Sequence, residues 1–491
     1  MSSSESMSRG RPEPALATIA VAPGDGVGPD IMAATLRVLR AAGVPLAYET
    51  VTLGAEAART GVPTAIRADA RRTVERSGVL LRAPTASTCG GHRRVPIAAQ
   101  RLWGTYANKR VFRLLPGVSS PLSLSHLELT MFRESVEDTH VAIEHMPTPD
   151  VGIGRRMVTR AGSLKLHRYA FAAAARKGAR RITCAHEVDL MPRTDGMFLE
   201  CFYETAADYP LLQADDVAVG TLATELLLDP AAFDVVVLGS RHGDVIMDLA
   251  AGLIGGQDYA PSASVGDGIA IFEAMHGAAP DLVGRDLANP SALILSATMM
   301  LRHLGLIEHA TLVELALEEA LFDLHRGRRR DGSRLAFSAT RLIDDVVARL
   351  ERSSDPAYAR ARRFPVPRRP VATTPHMLSS GSHARRPLRG VDVFLSSPRP
   401  PEELAAVLAD RAGPLPLQRL LNRGTEVWPQ RSNYTDCVPF YQARFVGTGP
   451  VKPADVLATL AGVSASFEIG GAEWLYRTGR RTQSGTERME D

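Results

Sequence analysis

The sequence predicts an α/β protein, a parallel or mixed sheet with helices on both sides, followed by a small α+β domain. Two observations predict the first part. Between about Ala17 and Leu350, short β-branched apolar runs alternate with longer segments of helical period, and the runs end in polar residues, as buried parallel strands do. A third observation marks the second part: a proline- and arginine-rich stretch without apolar period precedes a new set of strand and helix signals. With 491 residues, 45% of them hydrophobic and 23% charged, the chain can bury more than one core.

The elements follow in order. TIAVAPGDG, from Thr18, is a strand running into a glycine turn, and PDIMAATLRVLRAAG, from Pro29, continues as an amphipathic helix. ARRITCAHEV from Ala179 and FDVVVLG from Phe233 are buried strands. GDVIMDLAAGLIGG from Gly243 and NPSALILSATMMLRHLG from Asn289 are helices rich in small and apolar residues. Residues 353–389 read as a basic linker. Its charge suits either plain solvation or an acidic partner, but no aromatics interleave with the arginines as in single-strand nucleic-acid binders. Beyond it, VDVFL, PEELAAVLADRA, PLQRLLNRGTEVWP, YQARFVG and PADVLATLAGV predict strand, helix, hairpin, strand and helix, the hairpin turning at Asn422-Arg423-Gly424. The expected organisation is a tail over 1–14, a main domain over 15–352, the linker, a small domain over 390–476 and a tail over 477–491.

Composition narrows the function. No apolar run reaches the roughly 18 residues of a membrane span, and the first residues lack a hydrophobic signal core. Cys89, Cys184, Cys201 and Cys437 lie far apart, without metal-ligand or disulfide-framework spacing, so a reducing cytoplasm is the expected setting. A net charge of +3 gives no reason to expect nucleic acid.

Five segments then carry chemistry together. They are APGDGVGPDI from Ala22, FRESVEDTHVAIEH from Phe132, MPRTDGMFLECF from Met191, GDVIMDLAAGLIGG, and EAMHGAAPDLVGRDLANPSALILSATMMLRHLG from Glu273. In this order and spacing they resemble the isocitrate/isopropylmalate dehydrogenase family, over about 15–350. The linker, VDVF and NRGTEVWP resemble the C-terminal extension of one bacterial isocitrate dehydrogenase type. The resemblance implies that family's fold and a homodimer with a shared active site. It also implies NAD(P)-dependent oxidation, with or without decarboxylation, of a small 2-hydroxy acid as in the tricarboxylic acid cycle, with Mg²⁺ or Mn²⁺.

The resemblance also assigns residues. His276 and Gly277 begin the loop that wraps the adenosine, and Asn289 closes it onto the adenine. Asp281 stands where phosphate-selective relatives carry Lys followed by Tyr; a carboxylate there accepts from ribose hydroxyls and repels a 2′-phosphate, which favours NAD over NADP. Thr85 and Thr88 fall near nicotinamide and substrate. Arg110 and Arg133 keep two substrate arginines, whose guanidinium forks match carboxylates, while Gln100 occupies a third. Arg94 and Pro96 replace the residues that meet the substrate's γ-carboxylate; Arg94 either supplies charge from a new direction or is an exposed loop arginine. Asp244 and Asp248, four residues apart on one helical face, keep two metal ligands.

Other positions depart from the family. His140 stands where the catalytic tyrosine is expected and Glu187 where the lysine is, with Asp189 in place of an asparagine. Reversing one charge beside an anionic substrate, at about 4 Å and an effective dielectric of about 20, is worth about 4 kcal/mol before screening. Gly220 occupies the third metal aspartate, unless a loop slip brings in Asp215 or Asp216. Two functions follow: an oxidoreductase of altered substrate or impaired activity, or an inactive paralogue that keeps nucleotide binding and dimerisation in a regulatory role.

Overall fold

The computed structural model describes residues 17–60, 65–86, 95–326, 337–352, 387–411, 413–423, 425–429 and 437–476. Thr88, Cys89, Arg94, Gly424, both expected tails and nearly all of the basic linker lie outside the described residues. The chain divides into two compact units, one of 1–141 and 156–378, the other of 142–155 and 379–491.

The first unit is built on a ten-stranded sheet. Its strands are β1 (Ala17–Ala22), β2 (Leu46–Thr50), β3 (Val79–Arg82), β4 (Ala107–Arg113) and β5 (Glu128–Glu134). After a two-stranded hairpin, β6 (Asp138–Thr148) and β7 (Val151–Met157), whose residues 142–155 belong to the second unit, come β8 (Arg181–His186), β9 (Gln213–Ala218), β10 (Val235–Leu238), β11 (Pro261–Val265) and β12 (Ala270–Ala274). The spatial order is β2-β1-β3-β12-β11-β4-β5-β10-β8-β9. The two flanks are parallel, whereas the central run β12-β11-β4-β5 is antiparallel.

Side-chain alternation places the core. Along β1, Ile19 and Val21 face a large cluster with helices Gly28–Ala41, Ser291–His303, Ile307–Arg326 and Ala339–Arg352. Ala20 and Ala22 face the opposite layer, with helices Ala68–Ser77 and Val95–Leu102. On β10, Val236 and Leu238 join the first cluster, while Val235 and Val237 meet helices Arg160–Lys177 and Thr194–Ala206. Helices therefore cover both faces, as the sequence predicts. No helix among the described residues is long and apolar enough to cross a membrane.

The glycine turn after β1 is fixed by close backbone approach. Gly24 and Gly26 adopt φ of +74° and +59°, and a Cβ on Gly26 would sit 2.0 Å from the Ala278 carbonyl oxygen. Asp25 between them accepts from the Ala55 N–H at 3.1 Å and the Ala86 N–H at 2.7 Å. One carboxylate thus ties the turn to two other loops.

The second unit is an antiparallel sheet in the order β15-β14-β16-β13-β17. Its strands are β13 (Leu388–Ser396), β14 (Leu417–Asn422), β15 (Thr425–Trp428), β16 (Phe440–Val446) and β17 (Glu468–Tyr476), with helices Pro401–Arg411 and Pro453–Ser464. Val391, Val393, Leu404, Leu408, Phe445, Val456 and Val463 form its core. The final strand β17 adds an element that sequence reasoning did not include.

Candidate active site

Sheet, helix and loops converge on one cleft of about 420 Å³ in the first unit. From the sheet come Arg82 at the end of β3, Arg110 of β4, Arg133 of β5 and Glu273 of β12. From the helix Ser240–Leu253 come Asp244 and Asp248, and from the loops come Thr85, His276 and Gly277. Gln100, Pro96 and His140 complete the wall.

The antiparallel centre of the sheet makes this possible. In the β4–β5 register Asn108 lies opposite Arg133, and in the β4–β11 register Asn108 and Arg110 lie opposite Ser264 and Ser262. Asn108 donates to the hydroxyls of Ser264 and Ser262, at 3.0 and 2.9 Å, and accepts from Arg110 Nε at 3.0 Å. Gln100 donates to Ser264 Oγ at 3.1 Å, so its amide is committed to this buried network beneath the cleft. Gly243 lets the helix rest on the Arg133 stem: a Cβ there would meet Arg133 Cγ at 2.5 Å.

Charges are paired across the cleft. Asp244 stands 3.1 Å from Arg133, 3.4 Å from His140 Nε2 and 4.0 Å from Arg110; Asp248 stands 3.5 Å from Arg110. The other ring nitrogen of His140 contacts Ser240 Oγ. Burial raises the Asp244 carboxyl, but His140, Arg133 and Arg110 more than offset this and hold it below the usual carboxylate range. Burial, helped by Arg133, pulls Arg110 down to about 10. Arg82 is also pulled down to about 10 by burial, and it pairs with Glu273 on the neighbouring parallel strand.

Several polar atoms of the cleft residues are buried without a hydrogen-bond partner: Thr85 Oγ1, Arg82 Nη1, Arg133 Nε and His276 Nε2. Groups of this kind are costly unless a ligand meets them. They fit a polar, anionic ligand, as a nicotinamide dinucleotide and a carboxylate substrate would be. A divalent cation fits less well. Asp244 and Asp248 are already compensated by guanidinium groups, and no group of three or more His, Cys, Asp or Glu among the described residues is placed to hold a metal ion.

Other sequence-predicted residues lie elsewhere. Asp281 is exposed on the turn Pro280–Leu282. Asn289 is buried, its Oδ1 accepting from the Ser291 N–H at 3.1 Å and hydroxyl at 2.7 Å. Glu187 follows β8 outside the cleft lining, its N–H bound to Asp195 Oδ2 at 2.9 Å. Arg110 is taken by Asp244 and Asp248, so Glu187 does not fill the cleft by pairing with it. Asp215 and Asp216 are held in β9, in register with Thr183 and Cys184. Asp215 binds Arg181 and Thr183, both at 2.7 Å, and Asp216 binds His186 at 2.9 Å and the Tyr203 hydroxyl. Gly220 sits in the first turn of helix Val219–Leu228.

Sequence reasoning missed Arg82, Glu273, Asp25, Asn108 and Ser240. The available signal for the first two was a lone charge within or ending an apolar strand, in VLLR and AIFEA.

Comparison with known proteins agrees with this geometry. The isocitrate/isopropylmalate dehydrogenase profile matches residues 18–346, and that of the bacterial isocitrate dehydrogenase C-terminal domain matches 386–482. An NADP isocitrate dehydrogenase of Thermus thermophilus is 35% identical over 468 residues, covering 93% of this chain and 92% of the relative. Catalytic subunit 5 of the mitochondrial NAD isocitrate dehydrogenase of Arabidopsis thaliana is 37% identical over 61% of this chain and 80% of its own. The crystal structure of the TT0538 protein from Thermus thermophilus superposes with a TM-score of 0.83 at 34% identity, covering 93% of both chains. The chain belongs to the isocitrate/isopropylmalate dehydrogenase family and carries the C-terminal domain of its bacterial isocitrate dehydrogenases.

Proposed function

We propose that the chain is an NAD-dependent oxidoreductase acting on a 2-hydroxy acid other than isocitrate, or on isocitrate at much reduced rate. The observation that carries this reading is the cleft itself, where Arg110 and Arg133 remain as a carboxylate clamp while His140 stands beside Asp244. Nicotinamide, when bound, supplies the hydride acceptor. Arg110 and Arg133 bind and orient the substrate carboxylate. His140, at the position the resemblance gives to the tyrosine, serves in proton transfer, with Asp244 3.4 Å from its Nε2. Position 187, where the resemblance expects the lysine, is Glu, and its side chain is not part of the lining of this cleft.

One observation favours a second reading, the inactive paralogue: Asp244 already pairs with Arg133 at 3.1 Å within the cleft, so part of the carboxylate clamp is engaged by the protein itself. Initial rates of NAD reduction with isocitrate, isopropylmalate, malate and homoisocitrate, with Mg²⁺ or Mn²⁺ present, separate the two. Turnover of any of them supports the enzyme; none with all four, while NAD still binds, supports the paralogue.

NAD is the proposed cofactor despite the NADP in the name of the Thermus relative, because Asp281, which is exposed, occupies the position where the resemblance gives phosphate-selective relatives a Lys. Replacing it should reverse the preference. Asp281→Lys is expected to tighten NADP at least about tenfold relative to NAD by removing a repulsion and adding an attraction. Equal NAD and NADP affinities in both proteins would contradict the assignment. We further propose a homodimer in the cytoplasm, supported by exposed Leu227, Leu228 and Val245 on the helices Val219–Leu228 and Ser240–Leu253.

A further inference from the structure

A second cavity, of about 540 Å³, lies behind the cleft on the other face of β4 and β5. Alternation along β4 sends Arg110 into the cleft and Lys109, Val111 and Arg113 the other way. The floor is β5, through Thr130 and Phe132, and the walls are helices Arg160–Lys177 and Ser291–His303 with part of Ile307–Arg326.

The charges in this cavity do not balance. Arg113, Arg176, Lys177 and Arg302 line it together with Lys109, and the lining contributes only Glu128 and Glu314 against them. Both carboxylates are engaged by other cations: Glu128 by Lys177 at 3.1 Å, Glu314 by Arg302 at 2.7 Å. Arg113 pairs with Glu318. The Lys109 ammonium has no hydrogen-bond or ion-pair partner among the described residues, although its side chain is half-buried in the cavity lining. Enclosed ammonium groups are ordinarily paired, because an unpaired one has nothing to offset its desolvation.

We propose that this cavity is a binding site for a small organic polyanion, a di- or tricarboxylate or a phosphate ester, with the Lys109 ammonium as its central contact. Leu295, Met299 and Val235 offer an apolar wall for the ligand's carbon skeleton, and Arg113, Arg176 and Arg302 share the lining with Lys109 and can meet a second negative group. The state of Lys109 agrees. Burial, with Lys177, Arg176 and Arg302 nearby, pulls its ammonium down to about 8, a cost that an anion beside it relieves. The site does not depend on the dehydrogenase reading, since it shares no side chain with the cleft.

Calorimetric titration tests it on the full chain carrying Arg133→Gln, which weakens carboxylate binding in the cleft. Citrate and inorganic phosphate are the probes. At least one is expected to bind saturably. Adding Lys109→Met should weaken that binding at least about tenfold, the cost of losing one charge-assisted contact, and Lys109→Arg should retain most of it. Binding of phosphate, alone or in competition with citrate, identifies a phosphate-type ligand; binding of citrate alone identifies a polycarboxylate. Melting curves show whether Lys109→Met folds. If it does not, Lys109→Gln takes its place and must show the same loss against Lys109→Arg. Absence of binding by both probes, or equal binding with and without the Lys109 charge, overturns the proposal.

Discussion

Arg156→Met is expected to destabilise the first unit by about 3 kcal/mol, the usual cost of stripping one partner from a buried ion pair. Arg156 bonds Asp138 at 2.6 and 3.2 Å and reaches Asp195 at 3.0 Å. Both acids are buried, so neither recovers its hydration when the guanidinium leaves. The effect should depend on pH. Burial raises the Asp138 carboxyl, but its bonds to Arg156 and the Arg241 N–H lower it further, leaving it below its ordinary value. The unfolded chain therefore holds this proton at a higher pH than the folded one. The stabilisation is full above the unfolded value of about 3.9 and is lost as pH falls through the lower folded value. Denaturant unfolding at neutral pH and near pH 3 should show the variant's deficit shrinking in acid. A deficit under about 0.5 kcal/mol at neutral pH, the range of ordinary surface changes, would contradict this account.

Arg133→Gln carries the second large effect, on function. The guanidinium is buried, its stem rests against Gly243, and it holds Asp244 at 3.1 Å. Losing it removes half of the carboxylate clamp and leaves Asp244 facing an anionic substrate with less compensation. Substrate affinity is expected to fall about a hundredfold, as for truncation of one partner in a buried charge pair. NAD affinity should stay within about threefold, because Arg133 is assigned to the substrate carboxylate and not to the nucleotide loop. Isothermal titration with each ligand separates the two. An equal loss for both would mean that Arg133 maintains the cleft's shape and not its charge.

Much of this was legible in the sequence, for identifiable reasons. β1, β8 and β10 are largely continuous apolar runs, the helix from Gly28 carries clear periodicity, and that from Ser291 is a long run of small and apolar residues. The central strands were harder to read. β4 mixes Asn108, Lys109, Arg110 and Arg113 because one of its faces lines a cleft and the other a cavity, so no simple alternation survives. β17 contains Gly470 and Gly471 and lies at a sheet edge with mostly exposed or half-buried residues, which erases the strand pattern. Within the site, Arg110, Arg133, Asp244 and Asp248 were found through motifs. The Arg82–Glu273 pair was not, since it joins β3 to β12, strands remote in sequence that only the fold makes neighbours. Asn289 was placed by its motif, and its Oδ1 binds Ser291 at the start of a helix, a local capping role that the motif did not announce.

The chain keeps the family's scaffold, and in the proposed function it is Glu187, His140 and Gly220, at the positions the resemblance gives to a lysine, a tyrosine and a metal aspartate, that limit isocitrate turnover. The most direct test is isocitrate-dependent NAD reduction in the native protein and in the triple variant Glu187→Lys, His140→Tyr, Gly220→Asp. The account predicts that the native protein is slower by at least about a hundredfold, the usual contribution of one general acid–base group. Rapid isocitrate turnover by the native protein, unimproved by the three substitutions, would contradict it.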